Sequence, residues 1–181
     1  AFIFADYEKA LLNVFAGEIS IAVEDDMLVQ KSKELAIKDE VTCLYNYNYM
    51  KSRLDEEIKR AIVYQRPCGY LLIDMDDFKG FSEANGLLKA EALLKEMGGI
   101  LKSSVIETDK VGRLCDDKFG IILPEKNKRQ ITHVAEEIRK KIEEGLGKSV
   151  KVDKKLTVSI GVSENPIDGA PAERHAELLS G

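Results

Sequence analysis

The segment Tyr70-Leu-Leu-Ile-Asp-Met75 is apolar at nearly every position. A strand of this kind has an apolar side chain on each of its faces, so it must be covered on both. The chain is therefore constrained to a layered fold with this segment as a central strand.

The flanking sequence supplies the cover. Lys38 to Tyr45 is a connector leading to Asn46, which can cap a helix over Tyr47 to Tyr64. Met50, Leu54, Ile58 and Ala61 share one face of that helix, and the Arg66-Pro67 step stops it. Ser82 to about Ser103 reads as one helix, with Leu87, Ala90, Leu94, Met97 and Leu101 at helical spacing. Lys110 to Leu114 and Phe119 to Leu123 read as the strands of a hairpin around a tight polar turn. Asn127 to about Glu144 is an amphipathic helix, with Ile131, Val134, Ala135, Ile138 and Ile142 inward and Gly145 and Gly147 at its end. Leu156 to Val162 is a further strand. The tail, with Pro166, Gly169 and Pro171, reads as a loop and the start of a helix. This order predicts an α+β fold with a central, mainly antiparallel sheet flanked by helices.

About Asp6 to Ile37 reads as one long helix with no proline and a single glycine, Gly17. Val14, Ile21, Leu28 and Leu35 recur every seven residues, beside a second column of Phe15, Ala22, Val29 and Ala36. Such a stripe on a charged helix predicts pairing with a second copy; packing on its own domain is the alternative. Residues 1–38 are read as a signalling helix and 39–181 as the domain.

The net charge of −5 argues against a nucleic-acid partner. Cys43, Cys68 and Cys115 are odd in number and far apart, with no Cys-x-x-Cys pair. They suggest reduced thiols in a cytoplasm rather than a zinc site or a disulfide framework. No apolar run approaches the ~20 residues that span a bilayer, and no signal peptide is visible, so no membrane contact is expected within this stretch. The chain opens at Ala1 without Met and is expected to be a piece of a longer protein.

The chemistry concentrates at Asp74 and Asp117. Each lies where an apolar strand meets a polar turn. Two carboxylates on adjacent strands can cage a hard divalent cation, and such a cage can serve phosphate chemistry. Lys118 follows Asp117 at once, and an ammonium there converts the cage into a salt bridge. The plainer reading, two turn acids satisfied by Lys118 and backbone donors, is preferred. For Lys79 the plainer reading is a salt bridge to Asp76 or Asp77. His133 reads as a surface residue, and His175 has no acid–base partner. Tyr45, Tyr47 and Tyr49 read as packing residues at a helix start.

Four segments, in order, resemble the GGDEF domain of bacterial diguanylate cyclases, over Asp39 to about Leu179. Asp39-Glu-Val-Thr-Cys-Leu-Tyr-Asn46 is similar to the family's opening motif Asp-x-Leu-Thr-Gly-Leu-x-Asn. Asp74-Met-Asp-Asp-Phe-Lys79 is similar to Asp-x-Asp-x-Phe-Lys, and Ser159-Ile-Gly161 to the family's Ser-Ile-Gly strand. Arg113-Leu-Cys-Asp-Asp-Lys-Phe119 falls where the family has Arg-x-Gly-Gly-Asp-Glu-Phe.

The resemblance implies a nucleotide-cyclase-like fold with a ferredoxin-like core. It also implies an enzyme that condenses two GTP into cyclic di-GMP at a dimer interface with divalent metal. Asp74 and Asp117 fall on the metal-binding carboxylates, Lys79 on a lysine near the phosphates, and Arg113 on the arginine entering the signature turn. Asp76 and Phe78 match motif positions. Ser82 and Glu91 fall on the two guanine-reading positions, where the family has Asn and Asp; Leu87 and Ala90 replace a His and a Gly. Cys115 and Asp116 replace both signature glycines, and Lys118 replaces the glutamate. Ile106-Glu-Thr-Asp109 lacks the arginine of the product-inhibition motif Arg-x-x-Asp. The family's last helix, Ala-Asp-x-Ala-Leu-Tyr, is not reached.

The expectation is a catalytically inactive GGDEF-like signalling and dimerisation domain, with Cys115, Asp116, Asp117, Lys118 and Phe119 as a vestigial signature and no cofactor. It would pair with itself through Val14, Ile21, Leu28 and Leu35. An upstream sensor would feed it, since Phe2 to Val29 resembles the last helix of a GAF domain. The alternatives are an active cyclase using Mg²⁺ or Mn²⁺, and a receptor that holds GTP without turnover.

Overall fold

The structure is a computed structural model that describes residues 16, 18–20, 23, 27, 32, 36–148 and 156–168. The chain divides into two compact units, Ala1–Ile37 and Lys38–Gly181. The described residues of the first unit are helical. Val14, Ile21, Leu28 and Leu35 lie outside the described residues, as does His175.

The second unit begins with the connector and then α1, Tyr47–Tyr64, whose first turn is capped by Asn46: its side-chain oxygen accepts from the Tyr49 amide at 3.0 Å. β1 is Cys68–Met75, and it is followed by α2, Phe78–Asn85, and α3, Leu87–Ser103. The hairpin strands are β2, Lys110–Arg113, and β3, Lys118–Pro124. α4, Lys128–Gly145, carries a reciprocal cap between Asn127 and Gln130, and β4 is Val158–Asn165. The strand order is β2-β3-β1-β4, antiparallel throughout.

β1 is central and buried on both sides, as its composition predicts. Leu71, Ile73 and Met75 join Phe119, Ile121 and Leu123 in the large core under α2, α3 and α4. Cys68 and Tyr70 face the other way, with Ile122, onto Met50, Leu54, Ile58 and Ala61 of α1. Each such side chain is worth ~1.5–3 kcal/mol relative to exposure, and the alternation of β1 fixes which helix covers which face. Burial, with the Glu57 carboxylate nearby, pushes the Cys68 thiol up to about 12.

Most boundaries shift from the sequence reading by one or two residues, and two elements differ by more. The single helix from Ser82 to Ser103 is two helices. The chain breaks at Gly86, where φ is +84°, a conformation open to glycine because it has no Cβ. The break frees Phe78 and Phe81 to turn into the core ahead of α3. The last strand starts and ends later than Leu156 to Val162, because pairing with β1 runs from Met75↔Val158 to Cys68↔Asn165. Among the described residues no helix is long and apolar enough to cross a membrane.

Candidate functional site

The end of β1, the β2–β3 turn and the start of α2 meet at one edge of the sheet. Asp74 stands opposite Lys118 on β3 and Ser159 on β4. One residue on, the Met75 amide donates to the Asp117 carbonyl at 3.1 Å, which draws the turn beside the strand end. Asp74 and Asp117 are therefore neighbours, as their positions in sequence imply. Partial burial raises the Asp74 carboxyl above 3.8; Asp117 and Asp76 add to the rise and the Lys118 charge opposes it.

Asp76 is occupied elsewhere. Its two carboxylate oxygens accept the Thr157 hydroxyl at 2.6 Å and the Ser159 hydroxyl at 2.8 Å. Its amide donates to the Thr157 carbonyl at 3.0 Å. The expected salt bridge from Lys79 to Asp76 or Asp77 is not among those of the described residues; Asp76 is already satisfied by β4. Lys79 instead lines a half-open cleft of ≈ 480 Å³ with Ser82, Glu91, Arg113, Asp116 and Asp117. Val41, Phe78, Leu87, Ala90 and Leu94 form the apolar part of its wall. The structure thus brings Lys79, Ser82, Glu91 and Asp117 to one cavity; Asp74 stands beside it. Phe119 does not face the cleft: it is fully buried in the core.

The turn is held by a latch that sequence reasoning missed. Arg113 donates through Nε to the Cys115 carbonyl at 3.1 Å and through Nη2 to the Asp116 carbonyl at 2.9 Å. Its Nη1 pairs with the Asp39 carboxylate at 3.3 Å. Asp39 also accepts from the Thr42 amide at 2.8 Å and the Thr42 hydroxyl at 2.7 Å. Burial opposes ionisation of Asp39, but the Thr42 donors and Arg113 outweigh it and hold the carboxyl below 3.8. The backbone joins in: the Arg113 amide donates to the Tyr45 carbonyl at 2.8 Å, and the Tyr45 amide to Val111 at 3.1 Å. The Asp-x-x-Thr spacing at 39–42, which favours a side-chain-closed turn, was the available signal.

Asp109 is 7% exposed and is satisfied internally, by Lys126 at 2.5 Å and by the Ile106 amide at 3.2 Å. His133 is exposed, as expected, and lies 3.5 Å from Glu137. Tyr45 and Tyr49 stack on each other at 4.0 Å, with the Lys38 ammonium 3.6 Å from the Tyr45 ring centre.

The residues at the strand end do not fit a divalent metal well. Among the described residues no three His, Cys, Asp or Glu side chains converge as a metal site would need. Asp74 and Asp117 supply two carboxylates, Asp76 is spent on Thr157 and Ser159, and Lys118 places a positive charge across from Asp74.

A sequence profile described as "Diguanylate cyclase, GGDEF domain" matches residues 36–178. The response regulator PleD of Caulobacter vibrioides is 33% identical over 145 residues, which cover 78% of this chain and 32% of that protein. Diguanylate cyclase A of Treponema denticola is 30% identical over 171 residues, which cover 91% of this chain and 44% of that protein. The chain therefore spans less than half the length of these relatives. Among solved structures, the coiled coil and GGDEF domain of DgcB from Caulobacter crescentus, in complex with c-di-GMP, superposes with a TM-score of 0.81 at 19% identity. The match covers 94% of this chain and 93% of that one, and it bears on the fold.

Proposed function

We propose that this chain, which belongs to the GGDEF family of diguanylate cyclase domains, is a catalytically inactive member that works as a signalling and dimerisation module. The observation that carries this reading is the register Asp74↔Lys118. Where the family places a glutamate, this chain has an ammonium whose charge acts on the would-be metal carboxylate. Inverting one charge at the centre of a phosphoryl-transfer site removes the electrostatic preorganisation on which that chemistry depends. Asp116 adds a negative charge where a glycine would let backbone approach phosphate.

When bound, a divalent ion in such a site would neutralise developing charge on phosphate. Asp74 and Asp117 are the residues that would hold it. Here their own pair repels, Asp76 stays on β4, and Lys118 competes for the same charge. Arg113 keeps the turn folded through two carbonyls and Asp39, so the scaffold persists without the chemistry. Dimerisation is assigned to the heptad stripe of Val14, Ile21, Leu28 and Leu35, with the upstream input arriving through residues 1–38.

Mn²⁺ titration followed by electron paramagnetic resonance tests the charge argument. The natural protein is expected to hold Mn²⁺ only loosely. Lys118→Glu, which swaps the cation for a ligand, is expected to tighten binding by more than about tenfold, given the size of Coulomb terms at such distances. Tight binding by the natural protein, unchanged by Lys118→Glu, would remove the basis of the proposal.

A further inference from the structure

We infer that the cleft between α2, α3 and the β2–β3 turn is a docking groove for a partner protein segment in which leucine-like side chains stand next to arginine or lysine. The inference rests on the reading of this domain as non-catalytic. Two features of the surface carry it.

The first is apolar and extended. Val41, Phe78, Ala90 and Leu94 wall the cleft, and Leu87 at its lip is 70% exposed. Leu88 follows on the first turn of α3 and is 83% exposed. Leu87 carries the apolar lining of the ≈ 480 Å³ cavity out to its lip, and Leu88 adds exposed apolar surface outside it, more than a single ring compound would cover. An extended or helical segment that fills the cleft and continues over α3 buries both.

The second is charge. Glu91, Asp116 and Asp117 line the cleft, and among the described residues no salt bridge holds any of the three. Two cations share the lining. The Arg113 charge is taken by Asp39, and its other donors by the Cys115 and Asp116 carbonyls. Lys79 stands against three acids in the lining, and the Lys118 charge, felt at Asp74, adjoins them on β3. The groove therefore keeps a net negative charge and attracts a positive side chain, and charge complementarity of this kind selects partners and speeds their encounter.

The test is selection from a phage-displayed library of random peptides panned on the full chain, followed by fluorescence anisotropy with the enriched peptide. Enriched sequences should combine Leu, Ile or Met with Arg or Lys a few positions apart, and binding should weaken as salt rises. Leu88→Glu and Asp116→Lys should each weaken binding by about tenfold or more, while Asp116→Glu retains it. Both positions are exposed, so unchanged thermal unfolding of the variants checks that the fold is intact. GTP should not displace the peptide. No enrichment, enrichment of acidic or uncharged sequences, or binding indifferent to Leu88→Glu and Asp116→Lys would overturn the inference. An assay for cyclic di-GMP separates the two readings. Product formation sinks the non-catalytic assignment, whereas a silent enzyme with no peptide preference sinks the groove alone.

Discussion

Asp39 shows how much one side chain can organise here. Its carboxylate closes its own turn on Thr42 and at the same time anchors Arg113, which holds the signature turn. Because the folded carboxyl titrates below 3.8, the stabilisation it gives is fully present above that pH. It is lost as pH falls through the folded value. Asp39→Asn is therefore expected to cost about 1–2 kcal/mol at neutral pH, in the range of a charged hydrogen bond. The gap should close when natural protein and variant are compared at a pH well beneath the lowered folded value instead of at neutral pH. Urea unfolding at both pH values measures it, and a gap independent of pH would contradict the role. The identity of the motif around Asp39 was legible in the sequence, but the pairing with Arg113, 74 positions away, was not, because no local period links them. Cys43 is a similar case. It stands where the resembling motif has glycine, and its φ of +58° is a left-handed conformation that glycine adopts more readily than cysteine.

Among the elements, the β2–β3 hairpin is the one on which the site depends. Tyr45 of the connector bridges in parallel to Gly112 on β2, and Met50 of α1 packs over the same spot. A Cβ at Gly112 would sit 2.2 Å from Met50 Cγ and 2.7 Å from the Tyr45 carbonyl oxygen. Gly112→Ala is thus expected to push α1 and the connector off the hairpin and to cost about 1–3 kcal/mol, as overpacking does. A lowered urea midpoint with an unchanged slope would show it; an unchanged midpoint would mean that the connector yields freely. The helices and strands themselves were legible wherever apolar spacing was sustained, as in α1 and α4. What was not legible was the break at Gly86. The helical period of Leu87 to Leu101 could be extended backwards to Ser82, while the pull of Phe78 and Phe81 into the core is a tertiary effect. Likewise the end of β4 is set by its pairing with β1 rather than by its own residues.

At the scale of the whole molecule, a helical unit precedes a domain that belongs to the GGDEF family. Lys79, Ser82, Glu91 and Asp117, singled out in the sequence through the family resemblance, line one cavity. The occupation of Asp76 by Thr157 and Ser159 was not legible there, since it depends on how β4 aligns with β1. If the heptad stripe pairs two copies, replacing Ile21 and Leu28 by Glu should convert a dimer to a monomer in sedimentation while the domain stays folded; a monomeric natural protein would contradict it. The proposed loss of catalysis is tested by turnover of GTP to cyclic di-GMP by the full-length protein, with Mg²⁺ and with Mn²⁺. No product above the protein-free control is expected. Steady formation of cyclic di-GMP at ordinary enzyme rates, on the order of 1 s⁻¹ or faster, would contradict it.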